Sequence, residues 1–155
     1  MNKIPNLPEG IKISLRIPFD PTDEDLDFVA QLGVDHVYTW FKDEALSAEM
    51  IRALKKRCET HGLTLFNIGH LRLCKNDKIH LALPGRDEAI EGFCAYIRNL
   101  SAAGIYTTTF TWEAQGDTTS SKLVAGRGGA IWRSVSVDGL EQLPLSHGRV
   151  YNDEE

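Results

Sequence analysis

Residues 81–110, LALPGRDEAIEGFCAYIRNLSAAGIYTTTF, join a turn, a helix and a strand in one unit and indicate the fold class. The Pro84-Gly85 pair predicts a turn, and an apolar stripe at helical spacing follows it until Gly104 ends the helix. The run 105–110 is β-branched and aromatic, which suits a strand in a sheet that helices cover. The unit therefore indicates an α/β protein.

The same alternation of strand and helix runs along most of the chain. Ile11, Ile13, Leu15 and Ile17 alternate with polar residues, which is the period of a strand, and Thr22 is a good cap for the helix that follows. Periodicity predicts strands over 11–17, 34–40, 63–68 and 105–110, and helices over 23–32, 48–61 and 87–103.

After residue 110 the regular alternation ends. Residues 130–137 alternate like an exposed strand, which predicts one half of a hairpin that turns through the glycines at 126–129. A phosphate-binding loop is the alternative for those glycines. No capped helix follows them, so the hairpin is favoured.

Composition excludes several classes of function. At 42% hydrophobic and 25% charged residues, the 155-residue chain is ordinary for one globular domain. A net charge of -5 argues against nucleic-acid binding, and no apolar run is long enough to span a membrane. The N-terminus lacks the apolar core of a secretory signal. Three cysteines without metal-ligand spacing indicate reduced thiols, and we expect a cytoplasmic protein.

Four segments, in this order along the chain, resemble the mannonate dehydratase family of the xylose-isomerase-like barrels. They are Ser14-Leu15-Arg16, the LPGRDE turn at 83–88, the YIRNLSAAGI helix at 96–105 and the SHGRVYNDEE run at 146–155. The resemblance implies a (β/α)₈ TIM barrel. Such a barrel typically needs about 250 residues.

Length therefore predicts a partial TIM barrel: residues 1–155 form a single domain, the N-terminal half, with about four βα units followed by an irregular hairpin-like extension. The C-terminal sequence adds to this expectation. Asn152 is a good helix cap and the acidic residues after it favour a first helical turn, so we expect a helix to begin there. A solvated acidic tail is the alternative.

Candidate substrate-binding residues lie at the ends of the predicted strands, because barrel enzymes place their catalytic groups there. Arg16 could hold a sugar carboxylate through two parallel hydrogen bonds, or pair with a carboxylate of the barrel. Trp40 and Trp112 could stack on a sugar ring or simply pack. His70 could act as an acid, a base or a hydrogen-bond donor.

The resemblance also implies a reaction. Mannonate dehydratases are lyases that remove water from D-mannonate to give 2-keto-3-deoxy-D-gluconate in hexuronate catabolism, with a divalent Mn or Mg ion. The family's metal ligands come from the second half of the barrel, so we expect no metal ligand in this chain and no activity from it alone. The chain departs from the family pattern at Ile17-Pro18, at Cys74-Lys75-Asn76-Asp77 and at 109–112, which leaves another sugar acid open as the substrate.

Two alternatives remain open at this point. The first is a sugar isomerase or epimerase on the same barrel. The second is a non-catalytic half barrel that pairs through its open strand edges as a homo-oligomer. The expected partner is in each enzymatic case a small-molecule sugar acid, with no nucleic acid and no membrane.

Overall fold

The computed structural model describes residues 9–42, 46–111 and 122–134 of the chain. Strands and helices alternate through the larger part of it, and a hairpin follows. The elements are β1 (Ser14–Arg16), α1 (Asp23–Gln31), β2 (His36–Phe41), α2 (Ala48–Thr60), β3 (Thr64–His70), α3 (Leu71–Cys74), α4 (Asp77–His80), α5 (Arg86–Ala102), β4 (Lys122–Ala125) and β5 (Ile131–Ser134).

The first three strands form a parallel sheet in the order β1-β2-β3. Each strand is connected to the next through a helix, as a parallel arrangement requires. The protein is therefore a mixed α/β structure, as the sequence predicts. A closed barrel is not formed by the residues that the structure describes.

Local sequence explains where the helices begin. Thr22 and Asp25 form a capping box at α1: the Thr22 hydroxyl accepts a hydrogen bond from the Asp25 amide, and the Asp25 carboxylate accepts one from the Thr22 amide. The Ser47 hydroxyl caps α2 by accepting from the amide of Met50. Both caps satisfy amides that no helical carbonyl can reach.

The core lies between one face of the sheet and the helices α1, α2 and α5. Its centre contains aliphatic side chains with almost no solvent exposure, among them Leu26, Val37, Ile51 and Ile68. Their burial supplies the main driving force that holds the helices against the sheet. Side-chain contacts also join α1 to the C-terminal end of α2: Arg57 forms an ion pair with Asp23 at 2.9 Å, and the ring of His61, the residue after α2, contacts the Asp27 carboxylate at 2.6 Å.

Residues 105–110 do not form the strand that the sequence predicts. They run alongside β3, but side chains rather than backbone amides make the contacts. The carbonyl oxygen of Ile68 accepts hydrogen bonds from the Tyr96 hydroxyl at 2.5 Å and from the Thr108 hydroxyl at 2.7 Å. Because hydroxyl groups occupy this carbonyl, it does not take part in a backbone ladder with a fourth parallel strand.

The predicted ends of the other elements also shift. β1 is shorter than the predicted 11–17, while β3 continues past the predicted end at residue 68 as far as His70. The residues between β3 and α5, for which periodicity predicts no element, contain the two short helices α3 and α4. Gly85, with φ of 85°, ends that region at the turn before α5.

The predicted hairpin is confirmed within the described residues. β4 and β5 pair antiparallel, and the turn between them contains Gly128 and Gly129, both with positive φ. Glycine adopts this conformation without the steric cost that other residues incur. None of the described helices combines the length and the apolar character needed to cross a lipid bilayer.

Candidate functional site

The two faces of the parallel sheet have different environments. Along β2, the side chains of Val37, Thr39 and Phe41 are buried beneath the helices, while His36, Tyr38 and Trp40 are only partly buried. Side chains alternate between faces along a strand, and paired residues of neighbouring strands share a face. We call the face opposite α1, α2 and α5 the open face; it carries Ser14, Arg16, His36, Tyr38, Trp40, Thr64, Asn67 and Gly69.

Four polar residues lie at one level across the open face. Arg16 on β1 pairs in register with Tyr38 on β2, which pairs with Asn67 on β3. The Asn67 side-chain amide donates a hydrogen bond of 3.0 Å to the hydroxyl of Thr109, in the segment beside β3. We call these four residues, Arg16, Tyr38, Asn67 and Thr109, the polar row.

A β-bulge brings Asn67 to this face. The pairing shifts between Val37 and Tyr38, so that Val37 pairs with Leu65 but Tyr38 pairs with Asn67. The strand therefore contains one extra residue, Phe66. Without the bulge, strict alternation would turn Asn67 toward the helices and away from Arg16.

Arg16 is exposed at one end of the polar row. It forms no ion pair with any residue in 9–42, 46–111 or 122–134, so the barrel carboxylate considered as its alternative partner is not present in this part of the chain. A guanidinium in this state can bind a planar carboxylate from a ligand through two parallel hydrogen bonds.

Trp40 lies on the same face, next to the polar row. Its partner across β3 is Gly69, and a Cβ atom added to Gly69 would overlap the indole ring. The indole therefore occupies the space above Gly69, and it forms an apolar surface beside the polar residues. Such a surface can pack against the C–H groups of a sugar.

His70 lies on the opposite face of the sheet from Arg16 and Trp40. It pairs in register with the buried Phe41, and only 6% of its surface is exposed. Its ring accepts a hydrogen bond from the Leu73 amide at the start of α3, and its edge contacts the ring of Tyr96. The structure thus does not bring His70 together with the other candidates. Trp112 lies outside the described residues.

Tyr38, Asn67 and Thr109 were not identified as site residues from the sequence. Tyr38 could have been, because the period-two pattern of β2 places it on the same face as Trp40. Asn67 could not, because its orientation depends on the bulge. Thr109 could not either, because the run 105–110 looks like an ordinary strand.

The buried thiols offer no nucleophile to this site. Burial raises the pKa of the Cys58 thiol to about 11, and burial also raises the pKa of Cys74. Both groups are therefore neutral thiols near pH 7, and a neutral thiol is a weak nucleophile and a weak metal ligand. Burial likewise raises the pKa of Tyr96, which remains a hydrogen-bond donor.

A divalent metal ion does not fit the described part of the chain. Mn and Mg prefer several carboxylate, imidazole or water ligands around one centre. No group of three or more His, Cys, Asp or Glu side chains that could hold a metal ion occurs in residues 9–42, 46–111 and 122–134. The open face instead offers groups that bind a ligand by hydrogen bonds and charge.

Comparison with known proteins finds a relative among the mannonate dehydratases. Over 111 residues the chain is 32% identical to mannonate dehydratase 2 of Halalkalibacterium halodurans, a match that covers 68% of this chain and 32% of that protein. The chain is similar to a mannonate dehydratase. It spans about a third of the length of this relative. No protein-family model matches the chain, and no solved structure matches it significantly.

Proposed function

We propose that the chain is part of a sugar-acid dehydratase, a lyase that removes water from D-mannonate to give 2-keto-3-deoxy-D-gluconate. The observation that supports this most is the 32% identity to mannonate dehydratase 2 over 111 residues. The parallel βα arrangement is compatible with the N-terminal part of a (β/α)₈ barrel, which is the fold we propose for the whole enzyme.

The role proposed for the described residues is to bind and orient the substrate. Dehydration next to a carboxylate needs a base to take the α proton and an acid to assist the leaving hydroxyl. The polar row contains neither a carboxylate nor a thiol. It does contain the guanidinium of Arg16, which forms no ion pair with another described residue, and the indole of Trp40 lies beside the row. These two groups are suited to holding the carboxylate and the carbon chain of a sugar acid, and Trp112 remains a predicted contact.

The general acid, the general base and the Mn or Mg ion of the proposed enzyme belong outside the described residues. When bound, such an ion would stabilise the negative charge that develops on the substrate. The described side chains do not form a site for it. We also infer a cytoplasmic location, which the three free cysteines favour.

The proposal is tested by following D-mannonate in the presence of the purified chain and Mn²⁺ by NMR. We expect saturation transfer from protein to D-mannonate without turnover. Absence of binding to any sugar acid would refute the proposed role. Formation of an isomerised sugar without keto-deoxy acid would favour a sugar isomerase or epimerase, and formation of the keto-deoxy acid by this chain alone would show that the assignment of acid and base elsewhere is wrong.

We propose, as a second candidate, that the chain pairs with itself. β1 has one neighbouring strand within the described sheet, so its other edge is open. Large apolar side chains are exposed near it: Ile11 (98%) and Ile13 (75%) just before β1, and Phe28 (60%) on α1. Open strand edges with apolar flanks favour association. Light scattering tests this: we expect dimers that Ile13→Lys converts to monomers, and a monomeric wild-type chain at high concentration would exclude self-pairing.

A further inference from the structure

We propose that the polar row binds an open-chain polyhydroxy carboxylate laid across the strands, with its carboxylate at Arg16 and its hydroxyl groups at Asn67 and Thr109. This inference rests on the proposed function, because it gives the sugar acid of that proposal a binding direction on the same open face. It adds two residues, Asn67 and Thr109, as specificity determinants.

The first argument is the spacing of the row. Arg16 and Asn67 are separated by two strand spacings, which is about 10 Å between their backbones. An arginine side chain is long enough to span part of that gap. A carboxylate at one end and hydroxyl groups several carbons away therefore match the two ends of the row better than a compact ring does.

The second argument is the hydrogen-bonding capacity of Asn67. A side-chain amide has two N–H donors and a carbonyl oxygen with two lone pairs. The Thr109 hydroxyl lies 3.0 Å from the amide nitrogen of Asn67 and 3.4 Å from its amide oxygen. These two contacts leave the Asn67 amide one N–H donor and one lone pair for a ligand. Neighbouring hydroxyl groups of a polyol both donate and accept, so they satisfy both remaining sites at once.

The third argument is accessibility. Arg16 is exposed, and Asn67 and Thr109 are partly buried and not fully covered. Trp40 stands beside the row on the same face and gives the carbon chain an apolar surface. The row thus combines a cation, an amide-hydroxyl pair and an aromatic wall, which together distinguish a polyhydroxy acid from a simple fatty acid or a neutral polyol.

A purely structural role for the Asn67–Thr109 pair must be distinguished from this one, because the pair also ties residues 105–111 to β3. The matched control is Thr108. Its hydroxyl donates a hydrogen bond to the Ile68 carbonyl and so holds the same segment against β3, but Thr108 is not part of the polar row. Thr108→Val therefore loosens the segment without removing a group from the proposed site.

The experiment is an NMR titration of the full chain with three probes: D-gluconate, sorbitol and hexanoate. We expect D-gluconate to shift the side-chain signals of both Arg16 and Asn67, sorbitol to shift Asn67 alone, and hexanoate to shift Arg16 alone. Asn67→Leu and Thr109→Val should each weaken D-gluconate binding about tenfold. Thr108→Val should leave it within about twofold.

Three results would overturn the inference: no binding of D-gluconate, binding without a shift of the Asn67 amide, or equal weakening by Thr108→Val and Thr109→Val. Circular dichroism identifies variants that do not fold. If Asn67→Leu does not fold, the nearly isosteric Thr109→Val still tests the inference. The readout does not depend on turnover. Binding along the row without formation of any keto-deoxy acid would contradict the dehydratase proposal and support the binding mode proposed here. Turnover that Asn67→Leu and Thr109→Val leave unchanged would support the dehydratase proposal and contradict this binding mode.

Discussion

The indole ring of Trp40 lies over Gly69, its in-register neighbour on β3, so closely that a Cβ atom at position 69 would overlap the ring. Glycine is required here because the indole ring lies so close, and not because of the backbone conformation, since the φ of Gly69 is not positive. The contact fixes the position of Trp40 at the end of the open face, and it can be tested by substitution.

Gly69→Ala should destabilise the protein by about 1–3 kcal/mol, because the new methyl group must displace the indole from a packed position. Urea denaturation followed by circular dichroism measures the change. Gly92 is the matched control: it lies inside α5, where a Cβ atom meets nothing closer than 3.9 Å, so Gly92→Ala should stabilise by about 0.5–1 kcal/mol. An unchanged stability of Gly69→Ala would show that the ring moves freely.

Tyr96→Phe should cost about 1 kcal/mol, because it removes a buried hydrogen bond to the Ile68 carbonyl while Thr108 continues to donate to the same oxygen. Adding Thr108→Val should cost more than the sum of the two single changes, since the carbonyl then loses both donors. Tyr106→Phe is the control, because Tyr106 is 48% exposed and should change stability by less than about 0.5 kcal/mol. Strict additivity would contradict a shared acceptor.

Stability should fall as the solution is acidified below about pH 4. Hydrogen bonds from Thr22 lower the pKa of Asp25, and a hydrogen bond from Arg57 lowers the pKa of Asp23, both from an ordinary value of 3.8. A lowered folded-state pKa means that the ionised groups contribute stability above the unfolded value, and that this contribution is lost as the pH falls through the folded value.

Thermal melts between about pH 6 and pH 2 test this loss. Asp25→Asn should reduce the dependence of the melting temperature on pH, because the substituted side chain does not titrate. Glu24→Gln is the control, since Glu24 lies in the same helical turn outside the capping box. A pH dependence that is identical in Asp25→Asn and in the wild type would contradict the role of the capping box.

The three cysteines should react with a thiol reagent at different rates near pH 8. Cys94 is partly exposed and should react first, while Cys58 and Cys74 are buried and should react after denaturation. The raised pKa of Cys58, about 11, keeps its thiol protonated under these conditions. Cys94→Ser should remove the fast phase, and a fast phase that persists in this variant would place another thiol at the surface.

Local signals in the sequence were sufficient to predict α1, α2 and α5, but not the short helices α3 and α4. Thr22 and Ser47 begin α1 and α2 because their hydroxyls bind amides three residues away, and no distant residue is needed for that. The hairpin around Gly128 and Gly129 is local in the same sense. These elements agree with the sequence-based expectations for that reason.

The run 105–110 has strand-forming side chains, yet it does not join the sheet. Pairing depends on whether the neighbouring strand presents free backbone groups, and here the Ile68 carbonyl is occupied by Tyr96 and Thr108. Tyr96 lies on α5, 28 residues from Ile68 in the chain. Sequence periodicity has no information about such a competitor.

The sequence by itself determined the α/β class, the starts of α1 and α2 and, to within one residue, of α5, and the alternation that puts Tyr38 and Trp40 on one face of β2. The tertiary structure alone decided which residues join them there. The bulge at Phe66 turns Asn67 and Gly69 toward Arg16 and turns His70 away from it, because one extra residue in a strand reverses the facing of every side chain that follows.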